Sequence, residues 1–284
     1  MQEPDFPLAH SRIVIVGLGL MGGSMALGLK GKCAAVYGVD TDEETRDLAV
    51  SRGIVSRAAS DLTSLLPETD VLILSTPVQE ILSLLASLPP LTGNVCIVMD
   101  LGSTKRLITE AMANLSGSYD PIGGHPICGK EKLSIENAEA AIYLDAPFIL
   151  TPLARTSARA LSAARNLIEA LGAWPLILDP QEHDRMLAFT SHLPYLLSSA
   201  LVRSVPRRHD LILGPGFKSV SRLAGTPSSI MLGVLETNRD FVLNALREMM
   251  ERLSEMEALL DSEDFARLKA ILNETRDKHQ VFKI

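Results

Sequence analysis

A doubly wound parallel α/β sheet followed by an all-α domain is the fold class this sequence predicts, on three observations. Short apolar runs dense in Val, Ile and Leu recur from residue 12 to about residue 180, with longer amphipathic stretches between them. The runs show little polar alternation, as strands covered on both faces do. After Asp179-Pro180 the short runs stop and the pattern is helical. A strand–helix alternation implies parallel strands joined by helical crossovers. The expected domains are therefore 1–180 for the sheet and 181–284 for the helices.

Taken in order, strands are expected at 13–16, 35–39, 71–74, 96–100, 148–150 and 176–178, with helices at 24–30, 42–52, 78–87 and 156–171. Past residue 180 only Gly214-Pro215-Gly216 interrupts the helical pattern. Ile230, Val234, Phe241, Ala245, Met249, Leu253, Met256 and Leu260 form one apolar stripe. About 30 residues of helix span roughly 45 Å, longer than such a domain is wide. Part of the stripe is therefore expected to pack against a second copy, with ordinary packing inside one chain as the alternative.

The totals narrow the function. The 284 residues carry a net charge of −7 and no basic run longer than Arg207-Arg208. An acidic surface repels phosphate backbones, so nucleic acid is not an expected partner. Cys33, Cys96 and Cys128 are odd in number and form no CxxC, which fits neither a disulfide framework nor a zinc site. No metal is expected. Met1-Gln2-Glu3-Pro4-Asp5 lacks the basic start of a signal peptide. The uncharged stretch 13–29 contains glycines that suit a buried strand–turn–helix better than a membrane span. A cytoplasmic protein acting on a small molecule, away from membranes, is expected.

Gly17-Leu18-Gly19-Leu20-Met21-Gly22 follows the first strand and precedes a helical run. In that setting Gly17 makes the tight turn, Gly19 lets the backbone approach a pyrophosphate, and Gly22 lets helix and strand pack closely. Leu20 and Met21 of the turn are expected at the cofactor as well, and the N-terminus of the following helix receives the phosphates. Asp40 ends the second strand a little over twenty residues on, where a carboxylate holds both ribose hydroxyls and repels a 2′-phosphate. Asp42, Glu43 and Glu44 follow it, and no Arg is expected beside it to receive that phosphate. A Rossmann-type domain with NAD as cofactor is expected. Ser75-Thr76-Pro77 and the Ser103 segment end the third and fourth strands, where they are expected to face the nicotinamide. A helix cap is the other role open to Ser103.

His125 stands in Gly123-Gly124-His125-Pro126-Ile127-Cys128-Gly129, a glycine-dense loop that would fix an imidazole. Imidazole titrates near neutrality and suits a base that takes a hydroxyl proton as hydride leaves. A lone histidine is more often structural, and more so for His183 and His192. Lys218 and Arg222 are four apart. On one helical face they could grip an anion, although a solvated basic face has the same spacing.

Together these segments resemble the prephenate/arogenate dehydrogenase family of tyrosine biosynthesis. The resemblance runs from about Arg12 to Asn238 through DLGSTK at 100–105, GGHPICGKE at 123–131, LTP at 150–152, HD at 183–184, SHLPY at 191–195, GPGFKSVSRLA at 214–224 and Asn238. It implies NAD-dependent oxidative decarboxylation of prephenate, with His125 drawing the ring-hydroxyl proton and Ser103 between hydroxyl and nicotinamide. It also implies that Arg222 holds the ring carboxylate and that Lys218 and Glu131 line the side-chain end. His192 and Tyr195 fall on the substrate side. The apolar stripe from Ile230 to Leu260 is the ground for expecting a homodimer through the helical domain. Many members carry a second histidine at the Tyr195 position, and Ser219, Met231 and Lys130 also depart from the common pattern. These departures cluster on the substrate side, so arogenate is the second substrate expected. The β-hydroxyacid dehydrogenases share a GLGLMG turn, but their catalytic-lysine helix start has no match here. A cofactor-binding sensor without catalysis could dispense with His125 and Arg222, and both are present.

Overall fold

In a computed structural model the described residues are 6–130, 132, 134–206 and 212–282. The chain forms two compact units, Met1–Asn238 and Arg239–Ile284. The first is built on an eight-stranded sheet in the order β3-β2-β1-β4-β5-β6-β7-β8. Its strands are β1 (Arg12–Val16), β2 (Ala35–Val39), β3 (Arg57–Ala59), β4 (Val71–Leu74), β5 (Cys96–Asp100), β6 (Tyr119–Pro126), β7 (Pro147–Pro152) and β8 (Trp174–Ile177). Helices α1 (Leu20–Leu29), α2 (Glu43–Ser51), α3 (Val78–Ser87), α4 (Arg106–Ala113) and α5 (Ala158–Ala170) cover it. Alternate residues of one strand enter opposite layers of core. Ile13 and Ile15 pack with Met25, Leu29 and Leu167 on one face, whereas Val14 and Val16 pack with Ile81, Ile108 and Met112 on the other. Two buried faces explain the missing polar alternation.

Four expectations are corrected. The first six strands are parallel, but β7 runs antiparallel to β6, and β8 follows β7. Among the described residues no α-helical crossover joins β6 to β7; two short 3-10 turns, Ile135–Asn137 and Ala140–Tyr143, lie between them. Second, β3 and β6 were absent from the expected strands. In β6, Pro121, Gly123, Gly124 and Pro126 conceal eight buried residues. The glycines serve close packing, since a Cβ on Gly124 would stand 2.7 Å from the Asp100 carbonyl oxygen. His125 therefore sits on a strand, not in a loop. Third, α1 starts at Leu20, inside the glycine turn, rather than at residue 24.

Fourth, the stripe across 229–260 is not one helix. α9 (Ser228–Thr237) ends at Asn238, with φ −121° and ψ 25°, and α10 (Arg239–Asp261) begins the second unit with α11 (Phe265–Val281). In the first unit, α6 (Pro180–Leu187) is capped by Asp179, whose side chain accepts from Gln181 and Glu182. It runs through a π turn, Ala188–His192, into α7 (Leu193–Ser204). Leu193 N donates five residues back to Ala188 O. Pro194 has no N–H for Thr190 O and its ring crowds that carbonyl, so the helix widens there. α8 (Pro215–Ser221) leads into a 3-10 turn, Arg222–Gly225. Among the described residues, no helix is long and apolar enough to cross a membrane.

Candidate active site

A cavity of about 1280 Å³ opens at the C-terminal ends of the parallel strands, where doubly wound sheets bind ligands. Gly17, Gly19, Leu20 and Met21 form one wall, and Asp40 lies at its edge. Gly17 has φ +91°, and a Cβ on Gly22 would stand 1.9 Å from Gly17 O. Both positions therefore require glycine. No side chain caps α1, which leaves its N-terminus suited to an anion. Asp40 Oδ2 accepts from Leu18 N at 2.8 Å and Oδ1 from Asp42 N at 3.0 Å. These bonds aim the carboxylate at the turn.

One expectation here is also corrected. Arg46 lies beside Asp40 in space, donating to the carbonyls of Asp40 and Thr41 at 2.8 and 2.9 Å. The first turns of α2 fold it back onto the loop, a proximity that a separation of six positions conceals.

Ser75, Thr76 and Pro77 line the cavity after β4, and Ser103 lines it after β5. Ser75 Oγ and Thr76 Oγ1 are shielded from solvent and have no hydrogen-bond partner among the described residues. Such oxygens suit a polar ligand lying across the strand ends. Ser103 is not the α4 cap, because that position falls on Lys105. The helix start is instead met by Asp184, which accepts from Lys105 N at 2.7 Å and from Arg106 N at 3.0 Å.

Behind the cavity wall lies a buried chain of side chains. His125 Nδ1 is 2.8 Å from His183 Nε2, and His183 Nδ1 is 2.8 Å from Asp184 Oδ1. The two rings meet edge to face, 5.1 Å between centroids. Beneath them, Lys105 Nζ is paired with Asp100 Oδ2, and neither side chain is exposed. Asp100 also accepts from Gly102 N at 2.8 Å and Gly124 N at 3.1 Å. One carboxylate thus ties the Ser103 loop to the strand that carries His125. His192, 1% exposed, is held by Asn238, whose Nδ2 lies 3.1 Å from His192 Nδ1 and donates to Asp184 O at 2.7 Å.

Burial sets the charge of this cluster. It pushes His125 well below the ordinary 6.5, with His183, Lys105 and His192 adding to the effect. Burial also lowers His183, against the pull of Asp184, and brings His192 to about 4. Lys105 is lowered by the same desolvation, opposed by Asp100. All three imidazoles are neutral near pH 7, the form a base requires.

The remaining candidates divide. Arg222 and Tyr195 line the cavity, with Thr190 and Ser191 of the π turn. Lys218 is exposed on α8 and not in that lining, and His125 and His192 are buried beside it rather than in it. Glu131 lies outside the described residues. Residues underrated from the sequence are His183, Asp184 and Lys105. Their only signal was a His-Asp pair just past a helix cap, and a lysine after Ser-Thr.

A family model described as the prephenate dehydrogenase nucleotide-binding domain matches residues 25–176, and one for that enzyme's dimerization domain matches residues 179–274. The chain belongs to the prephenate dehydrogenase family. It is 28% identical over 278 residues to prephenate dehydrogenase of Bacillus subtilis strain 168, covering 93% of this chain and 74% of that one. Prephenate dehydrogenase from A. aeolicus, solved with hydroxyphenyl propionate and NAD+, matches with a TM-score of 0.88 at 28% identity, over 96% of this chain and 98% of that chain. Synechocystis arogenate dehydrogenase matches with a TM-score of 0.77 at 30% identity, over 95% and 99%. The nucleotide-binding family model begins at residue 25, just past the glycine turn.

Proposed function

We propose that this protein catalyses the NAD-dependent oxidative decarboxylation of prephenate to 4-hydroxyphenylpyruvate. The observation that carries the reading is a neutral, buried imidazole, His125, on the strand next to the one that leads into Ser103, beside a cavity walled by the glycine turn.

The turn from Gly17 to Gly22 would hold the pyrophosphate of NAD, Asp40 the adenosine ribose, and Ser75, Thr76 and Pro77 the nicotinamide side. When bound, NAD supplies the hydride acceptor. His125 accepts the hydrogen bond of the ring hydroxyl and draws its proton as the hydride departs from the same carbon. Ser103 orients that hydroxyl from the cavity wall. The bond from ring to carboxylate breaks, its electron pair completes the aromatic ring, and carbon dioxide leaves. The proton returns to the phenolic oxygen. Arg222 offers the ring carboxylate a planar fork. His192, buried beside the cavity, would offer the substrate an N–H donor, because the Asn238 amide occupies Nδ1 and leaves the hydrogen on Nε2, which has no partner among the described residues. Tyr195 lines the same space, and Lys218 and Glu131 would complete the side-chain end.

The sheet and helical domains of this reading are 1–180 and 181–284. A homodimer through the helices is supported by the matched dimerization-domain model and by exposed Met250, Leu253, Leu260, Phe265 and Leu272 on α10 and α11. Residence in the cytosol fits three unpaired thiols.

Arogenate differs from prephenate only in carrying an ammonium group for the side-chain keto oxygen. The likeness to an arogenate dehydrogenase makes it the second substrate to test. Absorbance at 340 nm, followed with NAD or NADP against each substrate, decides. NADH formation with prephenate is expected; none with either substrate overturns the reading.

A further inference from the structure

The chain that ends at His125 has hydrogens that can be assigned from its other end. Asp184 already accepts two backbone N–H groups at the start of α4, so it presents lone pairs to whatever else it touches. His183 Nδ1, 2.8 Å from Asp184 Oδ1, therefore carries a hydrogen. A neutral imidazole has one such hydrogen, which leaves His183 Nε2 bare. His125 Nδ1 lies 2.8 Å from that bare nitrogen and must donate to it. The lone pair of His125 is then on Nε2. Any other assignment sets two lone pairs, or two hydrogens, face to face across a buried contact, and such an unmade hydrogen bond is costly.

We propose that His183 is the positioning residue of the proton-accepting histidine: it holds the His125 ring in the Nδ1–H form and so leaves Nε2 as the atom that takes the substrate hydroxyl's proton. The inference rests on His125 being the base. Asp184 acts one residue further back and serves two elements, since the carboxylate that orients His183 also closes the N-terminus of α4. The arrangement parallels the base-orienting acid of a catalytic triad, with a second imidazole interposed. His183 and Asp184 are wholly buried, so water does not compete for these contacts.

The test has a spectroscopic arm and a kinetic arm, both on the whole chain. In protein labelled with 15N-histidine, long-range 1H–15N correlation at pH 7.5 reads the tautomer of His125, assigned by the signal lost in His125→Asn. The Nδ1–H form is expected in the wild type. In His183→Phe, which has no acceptor, that form should give way to Nε2–H. kcat with prephenate and NAD should then fall about 10²-fold, the usual scale for a general base, while both KM values stay within about threefold. In His183→Gln the amide oxygen can accept from His125 Nδ1, so at least a tenth of wild-type kcat should be retained. An Nε2–H tautomer in the wild type overturns the proposal, as does unchanged kcat in His183→Phe. Equal loss in the Phe and Gln variants, both folded, also overturns it. If His183→Phe does not fold, the wild-type tautomer and the Gln variant still decide. If the Nδ1–H form is present and lost on substitution but no dehydrogenase activity is found, the functional reading fails and with it the role of Nε2 as proton acceptor, while His183's hold on the His125 tautomer stands.

Discussion

The side-chain amide of Asn238 joins two elements of the candidate site, lying 3.1 Å from His192 Nδ1 and 2.7 Å from the carbonyl oxygen of Asp184. Replacing it by Ala removes a hydrogen-bond partner of a buried imidazole and the donor to the Asp184 carbonyl. Asn238→Ala should raise KM for the substrate roughly tenfold through His192. It should also lower unfolding free energy by about 1–3 kcal/mol, the scale of a buried group left unmade. Steady-state kinetics and urea unfolding on the same preparation check both.

His125→Asn should lower kcat by roughly 10²-fold or more with modest change in KM. Arg222→Gln should act the other way, raising KM for the substrate by about 10- to 100-fold, as expected for a charge-assisted bond of about 1.5–3 kcal/mol. Unchanged turnover in the first variant would remove His125 from the reaction. Unchanged affinity in the second would place the carboxylate elsewhere.

Stability should fall as the solution is acidified below pH 6.5. Burial depresses His125, His183 and His192 in the folded chain, so the unfolded chain binds protons that the native one refuses. The contribution of each is complete above its unfolded value and is lost as pH drops toward its folded value. For His192 that window runs from 6.5 to about 4. Each such group changes stability by up to about 1.4 kcal/mol per pH unit. Urea midpoints measured from pH 7.5 to 5 should decline, and His192→Phe should flatten part of the slope.

Cofactor preference should respond to a single charge. Asp40→Asn keeps an oxygen for Leu18 N and removes the carboxylate that repels a 2′-phosphate, while Arg46 already lies alongside. The ratio of kcat/KM for NADP over NAD should rise by about tenfold or more, since like-charge juxtaposition costs several kcal/mol. Adding Arg46→Ala should cancel much of the gain.

The buried pair of Lys105 and Asp100 should be unforgiving. Lys105→Met leaves a carboxylate with 0% exposure uncompensated and should cost about 3–5 kcal/mol of stability. The double variant with Asp100→Asn should recover part of that loss. A loss in the double variant equal to the sum of the two single losses would mean that the pair is not coupled.

What the sequence discloses follows from the range of each constraint. The turn at Gly17 and the break at Asp179-Pro180 are local demands on backbone geometry, so they are legible at a glance. Asp40 is legible because its distance from Gly17 is fixed by one strand–helix–strand unit. β6 is not, because Gly123 and Gly124 are there for close packing against Asp100 and Thr151, a reason no local pattern records. The His125–His183 contact joins positions 58 apart, and the cap that Asp184 gives α4 spans 79. Neither leaves a spacing to read. The interrupted stripe at Asn238 escapes notice for another reason: apolar periodicity continues across a residue whose side chain is needed at the site.

The widened turn at Ala188–His192 also fixes the phase of what comes after it. One extra residue in a helix advances every later side chain by about 100° around the axis. α6 presents His183 and Asp184 inward. The same continuous rod, re-phased, then buries His192 and sets Tyr195 against the cavity. Deleting a single residue between 188 and 192 would restore a plain helix and turn α7 by roughly that angle, exchanging the residues of its two sides without altering any of their identities. Spacing here is itself inherited information, and aligned relatives would have to preserve it even where the individual side chains differ.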